Sequence, residues 1–165
     1  MGSNSQQIDV FFADYISRFL SENGAALYIA NELSNCRVGL MPLIDHCTLR
    51  SLDVDKRAED LFPLGFSHDQ TLSTLEFDNW WAKIYRKSGY PSLLVDQAFA
   101  GERGVASLIP DWVHTHGDQC FHHIDILVED IDHAIEKMKS RKIEFLVRLL
   151  GPQTRIYDRF LLSRN

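Results

Sequence analysis

Apolar and polar residues alternate from Phe121 to Val128, and the chain then changes to a helical period. Ile124, Ile126 and Val128 occupy one side of the alternation and His123, Asp125 and Leu127 the other, the period of two of a half-buried strand. Asp130 or Asp132 is placed to cap a following helix. Ile131, Ile135 and Met138 make that helix's apolar face, Lys137, Lys139 and Arg141 its polar one, and Lys142 ends it. The same unit occurs earlier, at Ile44 to Asp55. A shift of 77 positions carries His46 onto His123, Asp53-Val54-Asp55 onto Asp130-Ile131-Asp132, Leu61 onto Met138 and Phe66 onto Ile143. Such a repeat fixes the architecture before any single residue does.

The remaining pattern fills in the elements. Ile8, Phe11, Phe12, Tyr15, Ile16, Phe19 and Leu20 recur at helical spacing and predict a helix from Ser5 to Asn23, with Asn23-Gly24 as its stop. Ala25 to Asn35 predicts a second, shorter helix. The pair reads as a helical extension covering the core; its polar face is too poor in Lys and Arg for a membrane-surface helix. From Pro42 a β-α-β-β-β order follows: a strand over 43–52, a helix over 54–64 stopped by Gly65, and strands over 66–77, 80–86 and 92–99. Residues 100–119, broken by Gly101, Gly104, Pro110 and Gly117, read as a linker. A second strand–helix pair opens at Cys120, with further strands near 144–150 and 155–162 around a Gly151-Pro152 turn.

The domain organisation expected is therefore a helical extension (1–41), a first module (42–100), a linker (101–119) and a second module (120–165). Adding 77 to the fourth strand of the first module places its counterpart at about 169–176, past Asn165, so the second module is expected to be incomplete. The fold class expected is α+β: two βαβββ modules in a half-open barrel, the second truncated, behind an N-terminal helical extension.

Composition narrows the partners. With 45% hydrophobic and 24% charged residues in 165, the chain suits an ordinary globular core. A net charge of −6, with basic residues scattered, argues against nucleic acid. No stretch approaches the roughly 20 apolar residues of a membrane span. Cys36, Cys47 and Cys120 are odd in number and lack C-x-x-C spacing, and Met1 to Gln7 lack an apolar signal core. A reducing cytoplasm with free thiols is the expected location.

Two β-α-β-β-β modules, each opening on a strand-borne His and then D-[VI]-D, resemble the vicinal oxygen chelate superfamily of glyoxalases, fosfomycin and bleomycin resistance proteins, extradiol dioxygenases and epimerases. The resemblance spans roughly Pro42 to Leu150. It implies one divalent metal, Fe(II) first and otherwise Mn, Zn or Ni, held between the modules by residues of their first and fourth strands. Carried onto this chain, the first-strand ligands are His46 and His123, and the fourth-strand ligand is Asp96, with Gln97 second. The counterpart in the second module has no residues here. His46 followed by Arg50 also resembles the 2-oxoadipate dioxygenase/decarboxylase family, in which the His binds iron and the Arg holds a substrate carboxylate. Members often pair, so a homodimer is expected.

Each residue also has a plainer reading. A strand histidine is most often a hydrogen-bonded core residue, although two imidazoles and a carboxylate leave open positions on a divalent ion for Lewis-acid or O₂ chemistry. Asp96 could instead pair with a cation. Arg50 shares a strand face with His46 and could grip a carboxylate bidentately or simply form an ion pair. His114, His116, Cys120, His122 and His123 fit no familiar zinc spacing; strand alternation aims His122 away from His123 and helix position leaves His133 on the surface. Trp80, Trp81, Tyr85, Phe99 and Trp112 either line an apolar substrate cup or pack the core. Two functions follow: a metal-dependent dioxygenase, lyase or isomerase acting on a small keto-acid or oxygenated substrate, or a catalytically inactive binding protein that keeps the fold without a complete site.

Overall fold

The computed structural model describes residues 4–72, 74–142 and 159–163, the last five as backbone alone. The elements are α1 (Asn4–Glu22), α2 (Gly24–Asn35), β1 (Ile44–Arg50), α3 (Val54–Ala58), β2 (Ser67–His68), β3 (Leu75–Glu76), β4 (Trp80–Arg86), β5 (Ser92–Ala98), α4 (Ile109–His116), β6 (Phe121–Leu127), α5 (Ile131–Ser140) and β7 (Arg159–Ser163). Asp53 and Asp130 cap α3 and α5 in the same way, each side chain accepting from the backbone N–H three residues on (Lys56 and His133). Asn23 does so for α2, accepting from Ala26. The helix read over 54–64 is shorter than expected: α3 ends at Ala58, and a separate 3-10 turn, Phe62–Leu64, follows with Pro63 inside it. The strand read over 66–77 is two short strands, β2 and β3, both paired with β4. The linker carries the eight-residue helix α4. The strand expected near 144–150 and the Gly151-Pro152 turn lie outside the described residues, as does part of the strand expected over 155–162.

The strands form one mixed, open sheet in the order β2-β4-β5-β1-β6-β7, with β3 beside β4. The class is α+β. β1 runs parallel to β5 and antiparallel to β6, so β1 and β6, the two strands of the repeat, are neighbours at the centre. β7 lies antiparallel to β6.

The two faces of the sheet differ sharply. One buries Cys47 and Leu49 of β1, Leu93 and Val95 of β5, Tyr85 of β4, and Ile124 and Ile126 of β6. Onto it pack Ile8, Phe12, Tyr15 and Phe19, one helical stripe of α1, with Ala26 and Ile29 of α2 and Val54 and Ala58 of α3. Burying a ring such as Phe12 or Phe19 stabilises by roughly 1.5–3 kcal/mol, so this stripe is what attaches α1. A polar chain reinforces it: the buried Arg57 donates to the Tyr15 hydroxyl at 2.8 Å, and that hydroxyl donates to Gln119 at 2.9 Å. The opposite face carries His46, Thr48 and Arg50 of β1, Asp96 of β5, and His123 and Asp125 of β6. α4 lies over it from the β5–β1 side, with Trp112 turned inward.

Candidate metal centre

The centre is built on the β1–β6 junction, which two bulges distort. Ile44 faces Ile126 but His46 faces Asp125, leaving Asp45 as an extra residue in β1. Thr48 faces His123 but Leu49 faces Phe121, leaving His122 as an extra residue in β6. A bulge brings consecutive side chains together where a regular strand would send them to opposite faces. The Asp45 carboxylate consequently accepts from His46 Nδ1 at 2.8 Å, and the Nδ1 atoms of His122 and His123 stand 2.8 Å apart. The expectation that His122 faces away from His123 is thus corrected by the second bulge. His122 also stands edge-on to Trp112, at 5.3 Å between ring centroids.

His46 and His123 meet. Their ring centroids are 5.7 Å apart with the planes at 78°, which suits diagonal neighbours on adjacent antiparallel strands. His46 Nδ1 faces a second carboxylate as well, Asp125 Oδ2, at 3.6 Å. Among the described residues Asp45, His46 and Asp125 form a group whose potential ligand atoms all lie within 4.8 Å of one another. Two carboxylates and an imidazole suit Fe(II), Mn(II), Ni(II) or Zn(II). Both acids flank the nitrogen that shares the proton with Asp45, so an ion held there would displace that proton.

His123 is engaged on both nitrogens, with the Thr48 hydroxyl at 2.8 Å from Nε2 and His122 at Nδ1. Burial, reinforced by His122, His46 and Arg50, pushes its pKa well below the ordinary histidine value. The imidazole is therefore neutral, the form that ligates.

Asp96, the expected fourth-strand ligand, stands elsewhere. It faces Arg50 across the parallel β1–β5 pair, four residues along β1 from His46, or roughly 13 Å at strand rise. Its Oδ2 lies 3.7 Å from Arg50 Nε. Burial raises its pKa to about 7 against the opposing pull of Arg50. Gln97, the second choice, turns to the other face and accepts from Val54 N at the start of α3, at 2.8 Å. Arg50 does share the site's face with His46, and its guanidinium carbon lies 5.7 Å from the Trp112 ring centroid.

The other expectations divide. Of these aromatic residues, Trp112 stands at Arg50; Tyr85 is core, Trp81 packs against the core with Lys83 Nζ 5.7 Å from its ring centroid, Trp80 stacks on Phe77 at 3.8 Å and Phe99 lies under Arg103. The Cys120 thiol points to the His116 and Gly117 carbonyls. His133 is exposed on α5. Two carboxylates of the centre were not singled out from sequence. Asp125 was findable, because it shares the period-two face of His123. Asp45 was not, because regular alternation puts it opposite His46.

No protein-family model matches the chain. No curated protein matches it either. One solved structure is similar in fold: hypothetical protein BH1468 from Bacillus halodurans C-125, 16% identical, covering 68% of this chain and 77% of that one with a TM-score of 0.53. At that identity the likeness concerns the fold alone, and it agrees with the α+β class. No helix among the described residues is long and apolar enough to cross a membrane.

Proposed function

We propose that this chain is a metal-dependent enzyme of the vicinal oxygen chelate type, a dioxygenase, lyase or isomerase acting on a small keto-acid or oxygenated carboxylate. The observation that carries the reading is the convergence of Asp45, His46 and Asp125 within 4.8 Å, with His123 beside them. In this reading His46, Asp125 and Asp45 hold the ion, His123 stands next to it, and Arg50 receives the substrate's carboxylate on the same face. The ion would supply Lewis acidity or, as Fe(II), a place for O₂. The sheet is read as two modules joined through β1 and β6, supported by their central antiparallel pairing and by the β1-α3-β2-β3-β4-β5 order of the first, in which the short β2 and β3 both pair with β4. A homodimer would cover an outer sheet edge, and three cysteines outside any disulfide suit a reducing cytoplasm.

The test is calorimetric titration with Mn(II), and with Fe(II) under argon, of the wild type and His46→Ala. Binding of one ion at micromolar Kd, lost in the variant, is the expected result. No binding at millimolar ion, together with a melting temperature indifferent to chelator, would overturn it. The second reading, a binding protein without a working centre, is favoured by one observation: Asp96 is committed to Arg50, and both nitrogens of His123 already have partners. A protein that binds carboxylates but no divalent ion would establish that reading instead.

A further inference from the structure

Three buried polar atoms without hydrogen-bond partners belong to one neighbourhood: Arg50 Nε, Asp96 Oδ1 and Trp112 Nε1. Asp96 is 2% exposed and Trp112 9%. Arg50 links them, facing Asp96 across the β1–β5 pair and lying 5.7 Å from the Trp112 ring. Its Nε-to-Oδ2 separation of 3.7 Å is too long for a hydrogen bond. Buried polar atoms are almost always satisfied, so orphans gathered in one place ask for a missing partner. Here the orphans are two donors and one acceptor. The partner that satisfies all three offers an acceptor to Arg50 and Trp112 and a donor to Asp96.

We infer that Arg50, Asp96 and Trp112 form a subsite for a carboxylic acid bearing a hydrogen-bond donor on its second carbon, a 2-hydroxy or 2-amino acid. The carboxylate lies toward Arg50 and the Trp112 N–H, and the hydroxyl or ammonium toward Asp96 Oδ1. This rests on the reading of Arg50 as a carboxylate anchor and adds a selecting group. Asp96, the residue the resemblance gives to the metal, chooses the substrate. With Asp96 ionised, as it is above about pH 7, a 2-oxo acid or an unsubstituted acid leaves Asp96 Oδ1 unpaired, and sites built around a polar partner discriminate strongly against analogues lacking it. Hydroxy and amino acids share this chemistry, and their relative affinities separate the neutral from the cationic donor.

The test uses four probes of equal length, 2-hydroxypentanoate, norvaline, 2-oxopentanoate and pentanoate, titrated into the whole chain and followed by the indole N–H resonance of Trp112, assigned with Trp112→Phe. The hydroxy or the amino acid should bind at least ~10-fold more tightly than the other two and shift that resonance. Asp96→Leu, which removes the acceptor, should reduce the preference to about 2-fold while retaining pentanoate binding. Equal affinity for all four in the wild type at pH 8 overturns the inference without requiring any variant to fold; so does an undiminished preference in a folded Asp96→Leu protein. Selective binding by protein that takes up no metal would uphold it while the metal reading fails, and metal uptake with no binding of any acid would do the reverse.

Discussion

His46 and His123, one from each copy of the repeat, stand edge to face 5.7 Å apart across the β1–β6 junction. The carboxylates that gather at His46 are its strand neighbour Asp45 and its cross-strand partner Asp125. Asp125→Asn should therefore weaken Mn(II) binding by roughly 10–100-fold, as loss of a ligand or of its supporting contact does. Asp96→Asn should leave Mn(II) affinity within about 3-fold of wild type, because Asp96 lies at the other end of the strand. Side-by-side titrations of the two variants would show whether the carboxylates are assigned correctly.

Asp96 should also leave a mark on stability as a function of pH. Its folded pKa is raised from 3.8 to about 7. The folded state then holds a proton that the unfolded state has released, so this contribution is fully present below about pH 4 and is lost as pH rises through about 7. The loss is a few kcal/mol, at most about 4. His123 works in the opposite sense: its depressed pKa gives stability above the ordinary histidine value of 6.5 that is lost as pH falls. Urea unfolding of wild type minus Asp96→Asn, measured from pH 4 to 8, isolates the Asp96 part, and the difference should move steadily against the wild type as pH rises.

Tyr15 ties α1 to α3 through Arg57, whose side chain is 1% exposed. Tyr15→Phe keeps the ring among Phe11 and Phe121 but takes the acceptor from a buried guanidinium. A loss of about 1–3 kcal/mol in urea unfolding is expected, the cost of stranding a buried donor.

Gly104 closes the turn between β5 and α4. A methyl group there would collide with the Phe99 carbonyl oxygen, so the backbone itself must move. Gly104→Ala should cost at least about 3 kcal/mol and disturb the Trp112 indole resonance. Gly24→Ala is the control: nothing lies within 4 Å of an added methyl group, and helix propensity should make it neutral or stabilising by up to about 1 kcal/mol.

What the sequence determined by itself was whatever depends on local periodicity. The stripe of α1, the alternation in β1 and β6, and the aspartate caps of α3 and α5 are all nearest-neighbour regularities that burial and capping enforce along the chain. Asp125 was legible on the same terms. The tertiary structure decided the rest. Two extra residues in the β1–β6 ladder, visible only once the strands pair, turned Asp45 toward His46 and His122 toward His123. Register between parallel strands set Asp96 against Arg50, four positions along from His46. A helix in the supposed linker carried Trp112 over that pair. Period-two alternation tells which face a side chain takes but not its height along the neighbouring strand, and a binding centre is defined by height as much as by face.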